Sequence, residues 1–458
     1  MFLYLGEKDS EYGTLYRSDY TGQRFTKLLP NLHQSPHKLL DFLEITSLDG
    51  VFLANIVLLK PVGNEIQQKV QTVISYDNGN KWHYLLSPKE DNLGKPILCG
   101  YKDQCHLHLA LNMHHRLSPS IVIKSKSIGI ILSLGNLGDH LNEDLESLKP
   151  FLSVDGGVTW KLLDSAPDFL SFCDLGSLIL LGSNQDLSLK YSWNMGYNST
   201  EFPLNNFHNQ AAITNIVSHP LSNAQEFLVI GETDKGGILE GFVILLDFSE
   251  DKERQCQKPD DYELFTPKAY EEDCILGRRV SYLRKKPDSQ CYNGQDFEPI
   301  EKQENCECSS LDFECDWGFY RTSTGGCEAI SQRLVQTNFT IECYNFHKKN
   351  YLFSVGYRKI LGDSCQGKTV FDPFELECPI YFLGLSRSQL IWILIVIVAT
   401  FICVTAYKKR FLLKMTVLSL WGDFTYQRKL NKDDIVFNDG SYIEEESNDL
   451  MDTSKESP

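Results

Sequence analysis

Basic residues are scarce: 44 lysines and arginines face 61 acids among 458 residues, for a formal net charge of −17. Broad phosphate neutralisation needs the opposite balance, so nucleic acid is excluded as a partner. Residues 1–255 show no sustained helical period, which removes long amphipathic helices from that stretch. Cysteine is thin outside one segment, with only Cys99, Cys105, Cys173 and Cys403 spread over 335 residues. The N-terminus MFLYLGEKDSEYG has neither a basic start nor an apolar core of leader length. No signal peptide is visible there, and an upstream segment is expected to be missing.

What is present is concentrated. Ten of the 14 cysteines lie between Cys256 and Cys378, which points to an oxidising compartment. Their spacings do not repeat a CxxC unit, and Cys306-Glu307-Cys308 is the single tight pair, so disulfides are expected rather than zinc. From Ser388 to Tyr407 run 20 residues without a charge, about 30 Å of helix and enough to cross a bilayer. Lys408-Lys409-Arg410 follow, against one Arg387 before the span, which puts the C-terminal side in the cytosol and residues 1–387 in the lumen or exterior. The sequons at Asn198 and Asn338 fall on that lumenal side, as glycosylation sites should. Residues 433–458 hold nine acids against Lys455 and read as a disordered acidic tail.

Residues 1–255 are rich in short apolar and β-branched runs broken by Gly, Asn and Asp: Val51 to Leu59, Ile128 to Leu134, Leu178 to Leu181, Phe227 to Ile230. A turn motif recurs among them, Ser-x-Asp-x-Gly-x-x-Trp, at Ser75, Asp77, Gly79, Trp82 and again at Ser153, Asp155, Gly157, Trp160. Weaker copies stand at Ser18 to Phe25 and at Ser192 to Ser199, where Asn194 replaces the acid. The carboxylate accepts from its own turn, the glycine supplies a positive φ, and the indole packs beneath. Such Asp-box turns mark β-propellers, and at roughly 40–50 residues per blade about five blades fit. The motif glycines are separated by 57, 78 and 39 residues, an irregular array.

Several longer strings carry a resemblance. They are Cys105-His-Leu-His-Leu, IGIILSLGNLGDHL at Ile128 to Leu141, FLSVDGGVTW, DDYELFTP, Cys291-Tyr-Asn-Gly, LDFECDWGFYR at Leu311 to Arg321 and GYRKILGDSCQG at Gly356 to Gly367. With these the chain resembles the sortilin family of vacuolar and lysosomal sorting receptors, from about residue 1 to the span. The resemblance implies an all-β architecture: a partial Asp-box β-propeller over 1–255, a ten-cysteine module over 256–384, a transmembrane helix over 388–407 and a cytosolic tail over 408–458. It also implies the pairs Cys256–Cys291, Cys274–Cys306, Cys308–Cys365, Cys315–Cys327 and Cys343–Cys378. Cys99–Cys105 is expected as a sixth bridge. The family propeller is about twice as long as residues 1–255, so the chain is expected to begin near its middle, and no ligand-binding residue is carried over.

Catalysis and metal binding are weighed against plainer readings. Sialidases share the Asp-box turn, but they need an arginine cluster for a substrate carboxylate. Residues 1–255 offer only Arg17, Arg24, Arg116 and Arg254, so no enzyme, catalytic residue or cofactor is expected. His106-x-His108 on a strand presents two imidazoles on one face, with His114 and His115 nearby, yet a structural strand is the stronger reading and no metal is assigned. In the tail, Glu446-Ser-Asn-Asp-Leu450-Met451 resembles an acidic dileucine-type sorting signal, with a plain solvated tail as the alternative. The expectation is a single-pass type I membrane glycoprotein of the Golgi, endosome and vacuole system that binds lumenal soluble protein cargo, cytosolic adaptors and membrane lipid. The alternative is a truncated remnant with no receptor activity of its own.

Overall fold

The structure, a computed structural model, describes residues 1–426 except 36–37, 64, 92–93, 98–104, 113, 116–117, 143, 145–146, 164–166, 185–186, 205–210, 235, 253, 270–272, 332–349, 379–380 and 383–384. It divides into two units, Met1–Glu377 and Cys378–Pro458.

The first unit is all-β. Strands β1 (Phe2–Gly6), β2 (Tyr12–Ser18), β3 (Phe25–His33), β4 (Phe42–Glu44), β5 (Phe52–Val62), β6 (Glu65–Ser75) and β7 (His83–Tyr84) form one antiparallel sheet in the order β1-β2-β3-β5-β6-β7, with β4 on β5. Strands β3 and β5 pair only at Leu32 and Ile56, so this sheet is two meanders joined at a point. In the second sheet β8 (His106–Leu109) pairs with β12 (Ile131–Gly138), which also carries β11 (Ile121–Val122), β13 (Lys149–Ser153) and β14 (Lys161–Leu162). Strands β9 (His114–His115) and β10 (Ser118–Pro119) make a small hairpin. The third sheet runs β15 (Phe169–Cys173), β16 (Leu178–Ser183), β17 (Ser188–Ser192), β18 (Thr200–Pro203), and the fourth β19 (Ala211–Ser218), β20 (Glu226–Asp234), β21 (Leu239–Asp247).

An apolar core fills the space between each sheet and the next. Leu53 and Ile74 meet Leu107, Ile131 and Phe151 in the first core. Leu132 and Leu152 meet Leu170, Phe172 and Ile179 in the second, and Leu180 and Leu189 meet Ile213, Phe227 and Val229 in the third. This stacking accounts for the sequence pattern. Strands β12 and β16 are buried without a break over their first five positions because a neighbour covers both faces, whereas β20 alternates, with Phe227 and Val229 inward and Leu228 exposed.

The cysteine-rich region follows, with β22 (Tyr262–Phe265), β23 (Arg278–Lys285) and β24 (Ile300–Asn305) as its main sheet. Among the described residues three strand pairs follow: β25 (Phe313–Cys315), β26 (Phe319–Arg321), β27 (Cys327–Ala329), β28 (Asn350–Phe353), β29 (Tyr357–Lys359) and β30 (Phe374–Glu377) pair as β25-β29, β26-β27 and β28-β30. Disulfides join Cys256 to Cys291, Cys274 to Cys306, Cys308 to Cys365 and Cys315 to Cys327. Cys343 and Cys99 lie outside the described residues, and with them the two remaining expected pairs.

In the second unit β31 (Tyr381–Phe382) and β32 (Leu385–Ser386) form a hairpin before helix α1 (Arg387–Tyr426). The stretch Ser388–Lys414 is long and apolar enough to cross a membrane. The helix continues past the expected end at Tyr407, because Lys408, Lys409, Arg410 and the leucines after them are good helix formers and no proline intervenes.

Candidate functional site

Three of the Asp-box turns, at β6–β7, β13–β14 and β17–β18, occupy one recurring place, the last hairpin of a sheet. At β6–β7, Ser75 Oγ accepts from Gly79 N at 2.9 Å and Asp77 Oδ1 accepts from Lys81 N at 2.8 Å. At β13–β14, Gly157 N donates to Ser153 Oγ at 2.8 Å and Thr159 N to Asp155 Oδ1 at 2.9 Å, while Trp160 Nε1 closes onto Gly157 O. Gly157 has φ of 92°, a conformation that costs a side-chain-bearing residue energy. The degenerate copy at β17–β18 keeps this geometry: Gly196 N donates to Ser192 Oγ at 3.0 Å, and Asn194 Oδ1 accepts from Asn198 N at 2.8 Å. An amide oxygen replaces a carboxylate here because only an acceptor is required. The copy at Ser18 to Phe25 closes differently, with Asp19 Oδ1 accepting from Thr21 N and Gln23 N.

These turns also carry the cysteine-rich region. In an antiparallel meander the first and third hairpins lie at the same end, so the sheets present their turns together, and the module docks across them. Asn78 Nδ2 donates to Leu361 O, Arg278 reaches Asp49 at 2.7 Å, and Arg284 Nη1 donates to Val154 O at 2.5 Å with its guanidinium over Phe265. In the third sheet, the β15–β16 turn buries Asp174, whose carboxylate accepts from Asn293 N at 3.0 Å and from Asn293 Nδ2 at 3.1 Å. Burial raises the Asp174 pKa, against the hydrogen bonds from Ser177 and Asn293. Lys285, also buried, donates to Trp193 O at 3.2 Å. Desolvation pulls its pKa down to about 8, opposed by the Asp174 charge.

The most enclosed link is ionic. Glu314 on β25 receives Arg17 of β2 at 2.5 Å and Arg358 of β29 at 2.9 Å, and Arg358 also donates to Thr26 Oγ1. Arg17 is 1% exposed, so its charge depends on Glu314. Arg17, noted in the sequence only as one of four arginines, thus serves docking.

The histidines have structural partners. His108 Nδ1 accepts from Thr72 N at 3.2 Å, which assigns the ring proton to Nε2, facing Gly138 O at 3.1 Å. Both nitrogens are occupied, and burial lowers its pKa to about 4. Thr72 continues the chain to Asn55, and Asn55 to Asp41, so a polar ladder crosses from the first sheet to the second. His106 stacks on Tyr84, 4.9 Å between ring centres. The side chains of His114 and His115 lie outside the described residues. Cys256, Asp261 and Cys291 also converge, but the two sulfurs are bonded to each other and supply no thiolate.

Asn198 is exposed, and its neighbour Thr200 opens β18. Asn338, Glu446, Leu450 and Met451 lie outside the described residues. Cys173 is a buried free thiol beside Asp174, and Cys403 is a free thiol on α1.

A family model described as "Sortilin, neurotensin receptor 3" matches residues 2–213, and its C-terminal companion matches residues 218–378. The chain belongs to the sortilin family. Among its relatives is the vacuolar protein sorting/targeting protein 10 of Mycosarcoma maydis, 32% identical over 368 residues, covering 78% of this chain and 23% of that protein. The protein of the same name from Coccidioides posadasii is 31% identical over 393 residues, covering 81% and 26%. This sortilin-family chain therefore spans about a quarter of the length of those relatives. Among solved structures, an α-L-arabinofuranosidase of Fusarium graminearum aligns with 53% of the chain and 87% of its own, at 10% identity and a TM-score of 0.21, too remote to bear on fold or activity.

Proposed function

We propose that this chain is the membrane-anchored part of a sorting receptor that carries soluble proteins from the late Golgi toward the vacuole or lysosome. The observation that carries the reading is the end-to-end match of residues 2–378 to the two sortilin models, together with relatives named for vacuolar sorting. The stacked Asp-box sheets are read as propeller blades, and the disulfides suit an oxidising lumen. Helix α1 is read as the single span, with residues 1–387 lumenal, Asn198 and Asn338 glycosylated, and the acidic tail in the cytosol as the adaptor-binding segment. No enzymatic step is assigned: the arginines of the sheet region are few, and Arg17 is committed to Glu314.

The test is removal of the chain from cells that make it. Secretion of soluble vacuolar hydrolases into the medium is expected, with retention restored by re-expression. Unchanged hydrolase delivery would sink the receptor reading in favour of a cargo-incompetent remnant. Topology is tested separately, by a glycosidase-sensitive mobility shift of the full chain that disappears in the Asn198→Gln, Asn338→Gln double variant.

A further inference from the structure

Among the described residues, the fourth sheet ends on an uncovered strand. Strand β21 is nine residues long, LEGFVILLD, and pairs with β20 in an unbroken antiparallel register, from Leu239 opposite Asp234 to Asp247 opposite Glu226. No described strand pairs with its other edge. The strands that close the Asp-box hairpins and end their sheets, β7, β14 and β18, are two, two and four residues long. Short outer strands protect a sheet against edge-to-edge association, as do lysine, proline and bulges. Strand β21 has none of these: it holds no basic residue and no proline, its register with β20 does not shift, and its two charges, Glu240 and Asp247, sit towards its ends.

The hydrogen-bond phase shows what this edge offers. Phe248 N donates to Gln225 O at 3.0 Å, next to the pair of Asp247 and Glu226. Bonded pairs alternate along an antiparallel ladder, so Glu240, Phe242, Ile244 and Leu246 bond β20 through their backbones. Leu239, Gly241, Val243, Leu245 and Asp247 then turn N–H and C=O to the open side. Side chains divide in the same way. Ile244 and Leu246 pack against the third core, whereas Leu239, Val243 and Leu245 are 68%, 65% and 59% exposed. Across the sheet Leu228 stands opposite Leu245 and Val217 opposite Leu228, so the exposed side chains form an apolar face. Contiguous apolar surface beside unpaired strand backbone marks an interaction site.

The edge is complementary to itself. Laid antiparallel on a second copy about a two-fold axis at Val243, β21 is used over its whole length: Leu239 faces Asp247, Gly241 faces Leu245, and Val243 meets its own counterpart. All five outward-turned residues then fall into hydrogen-bonded pairs, about ten bonds across the joint. No like charges meet, since Glu240 lies opposite Leu246 and Asp247 opposite Leu239. Gly241 leaves room for the facing Leu245, because a Cβ built on it would have only Gly231 O within 4 Å, at 3.9 Å. Such a joint buries on the order of 1,000 Å² over both copies, the size of a weak interface, so a micromolar dimer is expected. Symmetry uses up the edge of each copy and stops the assembly at two.

We propose that β21 is a homodimerisation strand, on which two copies of this chain join edge to edge and turn two three-stranded sheets into one of six strands. The proposal is independent of the receptor reading. Pairing of β21 with β1 of a second copy, or with an extended segment of another protein, would leave Val243 without its counterpart, and the experiment separates these cases.

The full chain is measured in detergent, where sedimentation velocity reads the balance of monomer and dimer up to about 100 µM. Val243 is exposed and its N–H does not bond β20, so Val243→Lys leaves the sheet intact and sets two lysines against each other across the axis. The dissociation constant is expected to rise at least about fivefold, and likewise for Val243→Glu, while an equimolar mixture of the two variants recovers the dimer. Cross-linking fixes the register. In a Cys403→Ser background, which removes the free thiol of α1, mild oxidation of Val243→Cys is expected to give at least about tenfold more disulfide dimer than Leu228→Cys. Facing residues of a bonded pair stand about 5.5 Å apart at Cα, whereas position 228 lies one strand further from the axis in each copy. A chain that stays monomeric, a mixture that fails to recover the dimer, or equal cross-linking at the two positions would each overturn the proposal. A dimer insensitive to Val243→Lys would place the contact elsewhere, on β1 or α1, and overturn it as well.

Discussion

Between the stacked sheets, Phe172, Leu132 and Leu180 are wholly buried, and each sheet shares a core with the next. Among the described residues of the cysteine-rich region the compact apolar cluster is Cys256, Tyr262 and Cys291, edged by Leu283 and Phe297, while β24 is exposed at every position. The first region is held by area removed from water. The second has too little apolar surface for that, so bridges and docking onto the turns hold it. The contrast teaches that the module's order is borrowed: cut its links to the turns or its disulfides, and the sheets should outlast it.

The most severe way to cut the links is Glu314→Ala, which leaves Arg17 and Arg358 charged and unpaired; a loss of about 3–5 kcal/mol is expected. Limited proteolysis should then cleave within residues 256–377 while fragments of 1–247 persist. Cleavage spread evenly over both regions would mean that they are not separable in this way. Next in size is Cys308→Ser with Cys365→Ser, which opens a 57-residue loop and should cost about 2–4 kcal/mol. Denaturant unfolding with and without reductant measures it, and the same reductant should leave the hydrogen exchange of β12 and β16 unchanged.

Acid should separate the regions in opposite directions. His108 takes up a proton near pH 6.5 when unfolded but only at about 4 when folded, so the unfolded state binds more protons in that interval. Sheet stability is therefore expected to drop by about 2 kcal/mol between pH 7 and pH 5. Asp363 behaves inversely: burial raises its folded pKa to about 6 from the usual carboxylate value, so the folded module gains as pH falls through 6. Hydrogen exchange resolved by segment and corrected for intrinsic rates reads both, and parallel loss in both regions would contradict the assignment. The smallest effect belongs to a single turn. Ser153→Ala leaves the Gly157 N–H without its acceptor and should cost about 1 kcal/mol by thermal unfolding, confined to the β13–β14 hairpin.

Much of the sheet region was legible along the chain, because its signals are local. Alternation and apolar runs follow from which faces are covered, and the Ser, Asp and Gly of a turn lie within five residues of one another. The Asn194 copy was readable for the same reason, since an acceptor at that position is all the turn needs. The Ser18 copy shows the limit: with its acid one place early, at Asp19, the turn closes on another set of donors. What stayed hidden joins distant positions. Asp174 and Asn293 are 119 residues apart, Arg17 and Glu314 are 297 apart, and neither pair leaves a mark in spacing or composition.

The sequence by itself determined that the chain is built of strands, that a bilayer-length apolar helix follows a cysteine-dense region, and that the family is sortilin. Those properties reside in periodicity, hydropathy and short motifs, which are set by neighbouring residues. Only the tertiary structure decided that the Asp-box turns form the seat of the module, that His108 is a neutral ladder member, and that Asp312 and Asp363 meet. These depend on desolvation and on the convergence of groups far apart in the chain, and a charge acquires its meaning there only when its burial and its partners are known.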